Sequence, residues 1–119
     1  MAWLDRQSPE EVWVSAISRA EMELGLALMP EGKRKAALVK AVRAMFEEDF
    51  AGRCLPFDEV AALQYGRIVA SRQREGRPIS VEDAQIAAIA LAHRMALATR
   101  NLADFAGIQG LSLINPWEA

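Results

Sequence analysis

Acidic side chains follow short polar residues at three places in this chain, each time with the spacing of a helix start. The polar residue and the acid three positions later are Ser18 and Glu21, Ser80 and Asp83, and Asn101 and Asp104. Two of these pairs follow apolar, strand-like runs at residues 12–17 and 95–99, so their carboxylates are expected just past the ends of strands. Parallel α/β sheets hold their ligand sites at that edge. A fold that gathers the three helix starts therefore gathers three carboxylates, the oxygen ligands that hard divalent cations take.

The same three pairs also have a purely structural interpretation. A serine or asparagine followed three residues later by an acid is the ordinary capping box, and the helix dipole favours an acid in the first turn. A small α/β domain whose acids only cap helices is therefore an alternative that residue types leave open. Metal binding distinguishes the two, because acids exposed singly do not chelate.

The composition is that of one small globular domain. The 119 residues are 52% hydrophobic, enough apolar material for one core, and we expect a single domain over residues 1–119. No run approaches the roughly 20 apolar residues of a membrane span, and the first residues do not resemble a leader, so a cytoplasmic location without a membrane partner is expected. The single cysteine, Cys54, excludes an internal disulfide and argues against a thiolate zinc site.

Charged and nucleophilic residues narrow the chemistry further. A net charge of −2 means that the domain as a whole does not attract nucleic acid, so any such contact is local. Two basic groups could serve: Lys33, Arg34 and Lys35, and then Arg67, Arg72, Arg74 and Arg77. The single histidine, His93, is expected to pack or to face a helix dipole rather than to act as a base, which leaves no partner for a serine or cysteine nucleophile.

Strand-like and helical patterns alternate along the chain. Strands are predicted at residues 12–17, 53–57, 96–99 and 111–114. Helices are predicted after Ser18 as far as Pro30, over residues 33–52, from an Asp58 cap to Gly76, over residues 81–93, and in a short segment at residues 101–105. The helix over residues 81–93 is apolar nearly all round, so we expect it to be buried on most sides. The alternation predicts a three-layer α/β domain with a mainly parallel sheet flanked by helices.

Four stretches, in order, resemble PIN-domain ribonucleases of the VapC toxin type: residues 15–25, 80–88, 98–105 and 114–118. The resemblance extends over essentially the whole chain. It implies that Glu21, Asp83 and Asp104 correspond to family acids that hold Mg²⁺ or Mn²⁺, and that Thr99 and Asn101 help to arrange this catalytic site. It also implies an RNA substrate, an antitoxin partner that covers the site, and a homodimer.

One feature of that family is missing from this sequence. Such proteins open with a strand that ends in a Leu-Asp-Thr/Ser-Asn-like motif, whose Asp is the first metal-binding acid, and no apolar strand precedes Asp5 here. In the family this strand lies centrally, between the strands predicted at residues 12–17 and 96–99. We therefore expect either that the two half-sheets pair directly or that a second chain covers the gap. Full metal occupancy without this acid would mean that some other acid, for example Asp5 or Asp58, has replaced it.

Three functions are open at this point. The first is a metal-dependent endoribonuclease toxin of a toxin–antitoxin pair, inactive or weakened in this form. The second is a catalytically dead PIN-like binding protein that keeps the antitoxin or self-association surfaces. The third is the domain whose acids are caps alone. RNA cleavage distinguishes the first from the second, so the sequence does not decide whether the chain is an enzyme.

Overall fold

Two pairs of short parallel strands form the β structure in the computed structural model, which describes residues 13–99 and 101–115. The strands are β1 (Val14–Ser15), β2 (Cys54–Leu55), β3 (Leu97–Ala98) and β4 (Leu113–Ile114). β1 pairs with β2 and β3 with β4, and Val14 lies opposite Cys54 while Leu97 lies opposite Leu113. Each strand falls within its predicted run, and the predicted parallel pairing is confirmed.

The two strand pairs form separate ladders in this part of the chain. No backbone hydrogen bond joins β1 to β3 among the described residues, so the direct pairing of the two half-sheets that we expected as one possibility is not present there. Coverage of the space between them by a second chain stays a prediction.

Helices make up most of the described chain. They are α1 (Ala16–Leu28), α2 (Lys33–Ala44), α3 (Glu59–Arg74), α4 (Val81–Ala92) and α5 (Leu102–Phe105). The ends of α3 follow their predicted signals, because an Asp58 oxygen accepts a hydrogen bond from the Ala61 N–H at 2.9 Å and Gly76 leaves the helix with a φ of 68°. Among the residues described, no helix combines the length and apolar character that crossing a membrane requires.

The core lies between α3 and α4, with α5 at its edge. Its buried side chains are Ala61, Ile68, Ala84, Ala87, Ala88, Ile89 and Phe105. Four of the seven are alanines without exposed surface, and three of these are on α4. Because each presents only a methyl group, the two helices can approach closely. The predicted burial of α4 on most sides is confirmed.

The helix that begins at Lys33 is not α-helical as far as residue 52. Its α-helical part stops at Ala44, and Met45–Asp49 form a π-helical turn that a hydrogen bond from the Phe50 N–H closes at 2.9 Å. The wider turn adds a residue and changes the direction of the side chains that follow. Phe46 is buried there, with the Arg19 guanidinium 4.4 Å from its ring centre, a cation–π contact that joins this segment to α1.

Candidate active site

Glu21 lies in the second turn of α1, not in the first. The N-cap is Ser15, whose hydroxyl oxygen accepts a hydrogen bond from the Ser18 N–H at 3.0 Å. The predicted cap at Ser18 is therefore wrong, because the strand ends two residues earlier, and the helix begins three residues earlier, than the apolar run indicated. The dipole effect fades beyond the first turn. Since Glu21 is exposed and lies outside the cap, the capping interpretation does not account for this acid.

Asp83 lies in the first turn of α4, as predicted. The Ser80 hydroxyl oxygen accepts a hydrogen bond from the Asp83 N–H at 3.1 Å, so the predicted cap is confirmed. In a complete capping box the acid also reaches back to the cap residue's N–H. Within residues 13–99 and 101–115 the half-buried Asp83 carboxylate makes no such bond and no ion pair. The cap therefore depends on the Ser80 side chain alone. The Asp83 carboxylate has no part in it and is free to bind another group.

Asp104 lies on α5, which follows β3 directly. The predicted side-chain cap by Asn101 is wrong, since that side chain makes no capping bond and the Asp104 N–H donates to the Asn101 carbonyl at 3.1 Å. Thr99 organises the turn instead. Its hydroxyl oxygen accepts from the Asn101 N–H at 3.0 Å, and its own N–H donates to the Ile114 carbonyl at 2.9 Å. Thr99 thereby links the end of β3 to the helix that carries the acid.

A buried arginine connects this acid-bearing helix to α3. Arg72 is 5% exposed, and its Nη2 donates to the carbonyl oxygens of Asp104 at 2.8 Å and Ala106 at 3.1 Å. Arg77 donates to the same Ala106 carbonyl at 3.3 Å. The last carbonyls of a helix have no partner within it and attract cations. Two arginines that the sequence offered as nucleic-acid contacts are therefore bound to backbone.

A signal for this role was present in the sequence. Arg72 shares one side of α3 with the core residues Ala61 and Ile68, whereas a solvated arginine belongs on the opposite side. An arginine on an apolar helix face is a candidate for a buried backbone contact, because an unpaired buried charge is too costly to keep.

The hydrogen bonds of Arg72 also show which acids share an end of the molecule. α3 and α4 run antiparallel, because Asp58 at the start of α3 lies 3.5 Å from His93 at the end of α4. The last turn of α3, with Arg72, is therefore on the same side as the first turn of α4, with Asp83. Since Arg72 also binds the Asp104 carbonyl, Asp83 and Asp104 belong to the same end.

α4 connects all three acid-bearing elements. It packs against α1, which carries Glu21, and against α5, which carries Asp104. The side chains do not form a ready-made cage, because the described residues contain no cluster of three or more His, Cys, Asp or Glu that could hold a metal ion. The elements are thus brought together, while the sharing of one ion by Glu21, Asp83 and Asp104 stays a prediction.

Asp58 is not placed to act as the family's first metal-binding acid. It caps α3 and faces His93, at the end of α3 opposite to Arg72. A helix of 16 residues is about 24 Å long, so Asp58 is far from the end that holds Asp104. Asp5, the other acid considered, lies outside the described residues.

The other basic group is at the start of α2. Lys35 forms an ion pair with Glu31 at 2.7 Å, whereas Lys33 and Arg34 are exposed and form no ion pair among the described residues. Arg67 and Arg74 of the second basic group are likewise exposed and unpaired in the described part of the chain, so all four stay candidate contacts for a polyanion.

A polar cleft of about 540 Å³ lies between α3 and residues 107–109. Its polar lining comprises Gln64, Arg67, Ser71, Arg72, Glu75 and Gln109. Glu21, Asp83 and Asp104 do not line it, so this cleft is distinct from the acid-bearing edge, although Arg72 borders both the cleft and α5.

Comparison with known proteins connects this geometry to a family. Residues 1–110 match the PIN domain. A VapC ribonuclease, Y4jK of Sinorhizobium fredii, is 41% identical over 118 residues, which are 99% of this chain and 84% of the relative. The chain is therefore similar to this ribonuclease along nearly its whole length.

Solved structures agree with the sequence match. The structure of FitAB bound to an IR36 DNA fragment contains a chain that superimposes with a TM-score of 0.90 at 41% identity, covering 98% of this chain and 80% of that one. A toxin–antitoxin complex from Klebsiella pneumoniae gives a TM-score of 0.68 at 28% identity, covering 97% and 81%. The expected α/β fold is thus confirmed against solved proteins.

Proposed function

Because this chain belongs to the PIN-domain family, we propose that it is an endoribonuclease toxin of the VapC type, whose catalytic acids are Glu21, Asp83 and Asp104. The observation that carries the site assignment is the bond from Arg72 to the Asp104 carbonyl at 2.8 Å, because it ties α5 to the end of the molecule where α4 begins with Asp83. The VapC ribonuclease that is 41% identical to this chain supports the reaction type.

The contacts of the three carboxylates favour this function over the alternative in which the acids only cap helices. Neither Glu21 nor Asp83 forms a side-chain cap within residues 13–99 and 101–115, and Asp104 forms no ion pair there. The three carboxylates lie on elements that pack against one another, and in the described part of the chain they make no capping bond or ion pair. They are therefore better suited to binding a cation than to capping helices.

The donor set matches a hard divalent cation in kind. Mg²⁺ takes one or two carboxylates and completes its shell with water and substrate phosphate, so it does not need a closed protein cage. When bound, such an ion offsets the charge of the phosphodiester and lowers the pKa of a water molecule. In this proposal Glu21, Asp83 and Asp104 hold Mg²⁺ or Mn²⁺, while Thr99 and Asn101 shape the turn that presents Asp104. Because the proposed substrate is RNA, we expect the protein to act in the cytoplasm.

The test is cleavage of a labelled structured RNA by the purified chain with Mn²⁺ or Mg²⁺, with and without EDTA. EDTA should abolish cleavage. Asp83→Asn and Asp104→Asn should each lower the rate on the order of 100-fold or more, because each removes a carboxylate that would hold the cation which offsets the charge of the phosphodiester. Glu21→Gln should act in the same direction.

The matched control is Glu82→Gln, which removes an exposed acid from the same helical turn as Asp83. It should cleave like the parent chain. Cleavage that resists EDTA, or that survives Asp83→Asn and Asp104→Asn, would refute the assigned site. A parent chain that binds RNA with Mn²⁺ present but never cleaves it would instead establish the catalytically dead alternative.

The proposal extends to partners. The similar solved structures include a toxin–antitoxin complex, and α1 presents Leu24 and Leu28, four residues apart on the side of the helix that also carries Glu21, with 59% and 75% of their surface exposed. We propose that a cognate antitoxin covers this face and, since Glu21 lies on the same helix, the acids with it. Coexpression with the adjacent reading frame should yield a complex that Leu24→Glu with Leu28→Glu prevents, without loss of RNA cleavage by the toxin alone.

A homodimer is also part of the proposed assembly. Light scattering on the isolated chain should give twice the monomer mass. A monomer over the whole accessible concentration range would contradict the dimer.

A further inference from the structure

We infer that Arg72 is the positioning residue for Asp104: from α3 it holds the short helix α5 in place and thereby keeps the Asp104 carboxylate at the acid-bearing edge. The consequence for catalysis rests on the function proposed above, whereas the restraint on α5 does not. Arg72 donates to carbonyls on both sides of the buried Phe105, at Asp104 and Ala106, over distances of 2.8 and 3.1 Å.

α5 cannot be stable from its own residues. It has four residues, well below the length at which an isolated helix persists in water, and its N-cap residue makes no side-chain bond. Among the described residues its buried tertiary anchors are the Phe105 ring, which is 4% exposed, and the Arg72 guanidinium. Asp104 itself is exposed and directly precedes Phe105. The orientation of its side chain therefore follows from how these two anchors hold the backbone.

The burial of Arg72 shows that its role is not generic surface charge. A buried cation loses its hydration, and that loss is tolerated only when strong hydrogen bonds replace it. Bonds from a guanidinium are charge-assisted and stronger than neutral ones, and two of them end on neighbouring carbonyls of one short segment. Arg77, which is exposed, adds a longer bond of 3.3 Å to Ala106 and therefore plays a lesser part.

The experiment measures two quantities on the full chain. The first is amide hydrogen exchange at Asp104 and Phe105, which needs no metal and no RNA. The second is the Mn²⁺ concentration that gives half-maximal RNA cleavage. Arg72→Met should speed exchange at both amides by about tenfold or more and should raise the Mn²⁺ requirement, because loosened α5 presents Asp104 less often. Arg72→Lys, which keeps the charge but loses the planar fork, should recover part of both.

Two control variants separate positioning from general stability. Ile68→Val shortens a buried side chain one turn earlier on α3, and Gln73→Met changes an exposed neighbour of Arg72. Both should leave exchange at Asp104 and the Mn²⁺ requirement at parent values, even where Ile68→Val lowers the melting temperature.

The outcomes are distinguishable. The positioning role is overturned if Arg72→Met leaves the exchange rates at Asp104 and Phe105 unchanged. It is also overturned if Ile68→Val, at the same loss of stability as Arg72→Met, raises these exchange rates equally. Faster exchange confined to the Arg72 variants, together with a raised Mn²⁺ requirement, supports it. If exchange increases but the cleavage rate of an active parent is unaffected, the restraint on α5 does not position Asp104 and the inference fails. A parent chain without nuclease activity refutes the proposed function, and the exchange measurement then decides whether Arg72 restrains α5.

Discussion

Asp58 and His93 join the start of α3 to the end of α4, with the Asp58 Oδ2 atom 3.5 Å from the His93 Nε2 atom. The other carboxylate oxygen caps α3 through the Ala61 N–H at 2.9 Å. His93 Nε2 is buried and makes no hydrogen bond among the described residues, so the carboxylate is its nearest compensating group. The single histidine thus contributes to packing at the end of α3 opposite to Arg72, as the sequence predicted for an imidazole near the end of an apolar helix.

This relationship predicts different effects for two substitutions of Asp58. Asp58→Ala removes both contacts and should lower the free energy of unfolding by about 1 kcal/mol through the lost cap. Asp58→Asn keeps a good cap and should lose less than about 1 kcal/mol, because only the contact between the carboxylate and His93 changes. Urea unfolding of both variants gives the comparison.

The corrected start of α1 gives a second prediction. Ser15→Ala should lower the free energy of unfolding by about 1 kcal/mol, because the Ser18 N–H loses its acceptor. Ser18→Ala keeps that bond, loses only the 3.0 Å contact between the two hydroxyls, and should cost less than half as much. Thermal unfolding followed by circular dichroism measures both, and a greater loss in Ser18→Ala would restore the original prediction of the helix start.

Two glycines of the α3 region should respond to alanine with opposite signs. Gly66 lies inside α3 and Gly76 follows it with a φ of 68°, and a Cβ at either would meet nothing within 4 Å. Gly66→Ala should therefore stabilise the protein by about 0.5–1 kcal/mol through backbone entropy. Gly76→Ala should destabilise it by about 1–2 kcal/mol, since a side chain there requires a left-handed backbone. Melting temperatures that shift in the same direction would contradict this account.

The alanine packing between α3 and α4 gives a fourth prediction. Ala88 has no exposed surface, so Ala88→Leu should overpack the core and cost about 1–3 kcal/mol. Ala62→Leu makes the same change at an exposed position of α3 and should stay within about 0.5 kcal/mol. Guanidinium unfolding with both variants tests whether burial, not leucine itself, causes the loss.

Several features could be predicted because their causes are local. The caps at Asp58 and Ser80 join residues three positions apart, and the left-handed turn at Gly76 depends on the glycine itself. The apolar run of α4 likewise predicts burial without knowledge of what buries it. The family resemblance predicted Glu21, Asp83 and Asp104 as metal-binding acids from short stretches, and the cleavage assay tests this prediction.

Other features depended on the tertiary structure. Ser15 and Ser18 are both good N-caps, and the residue at which β1 stops pairing with β2 decided between them. The carbonyls that Arg72 binds are 32 and 34 residues away, so no local pattern names them. Arg72 was expected at the surface. It is buried and bonded to backbone carbonyls only because α5 lies beside the end of α3 in the folded chain. The physical reason is range: local hydrogen bonds and turn preferences are encoded within a few residues, whereas the partner of a buried charge exists only once distant segments have packed.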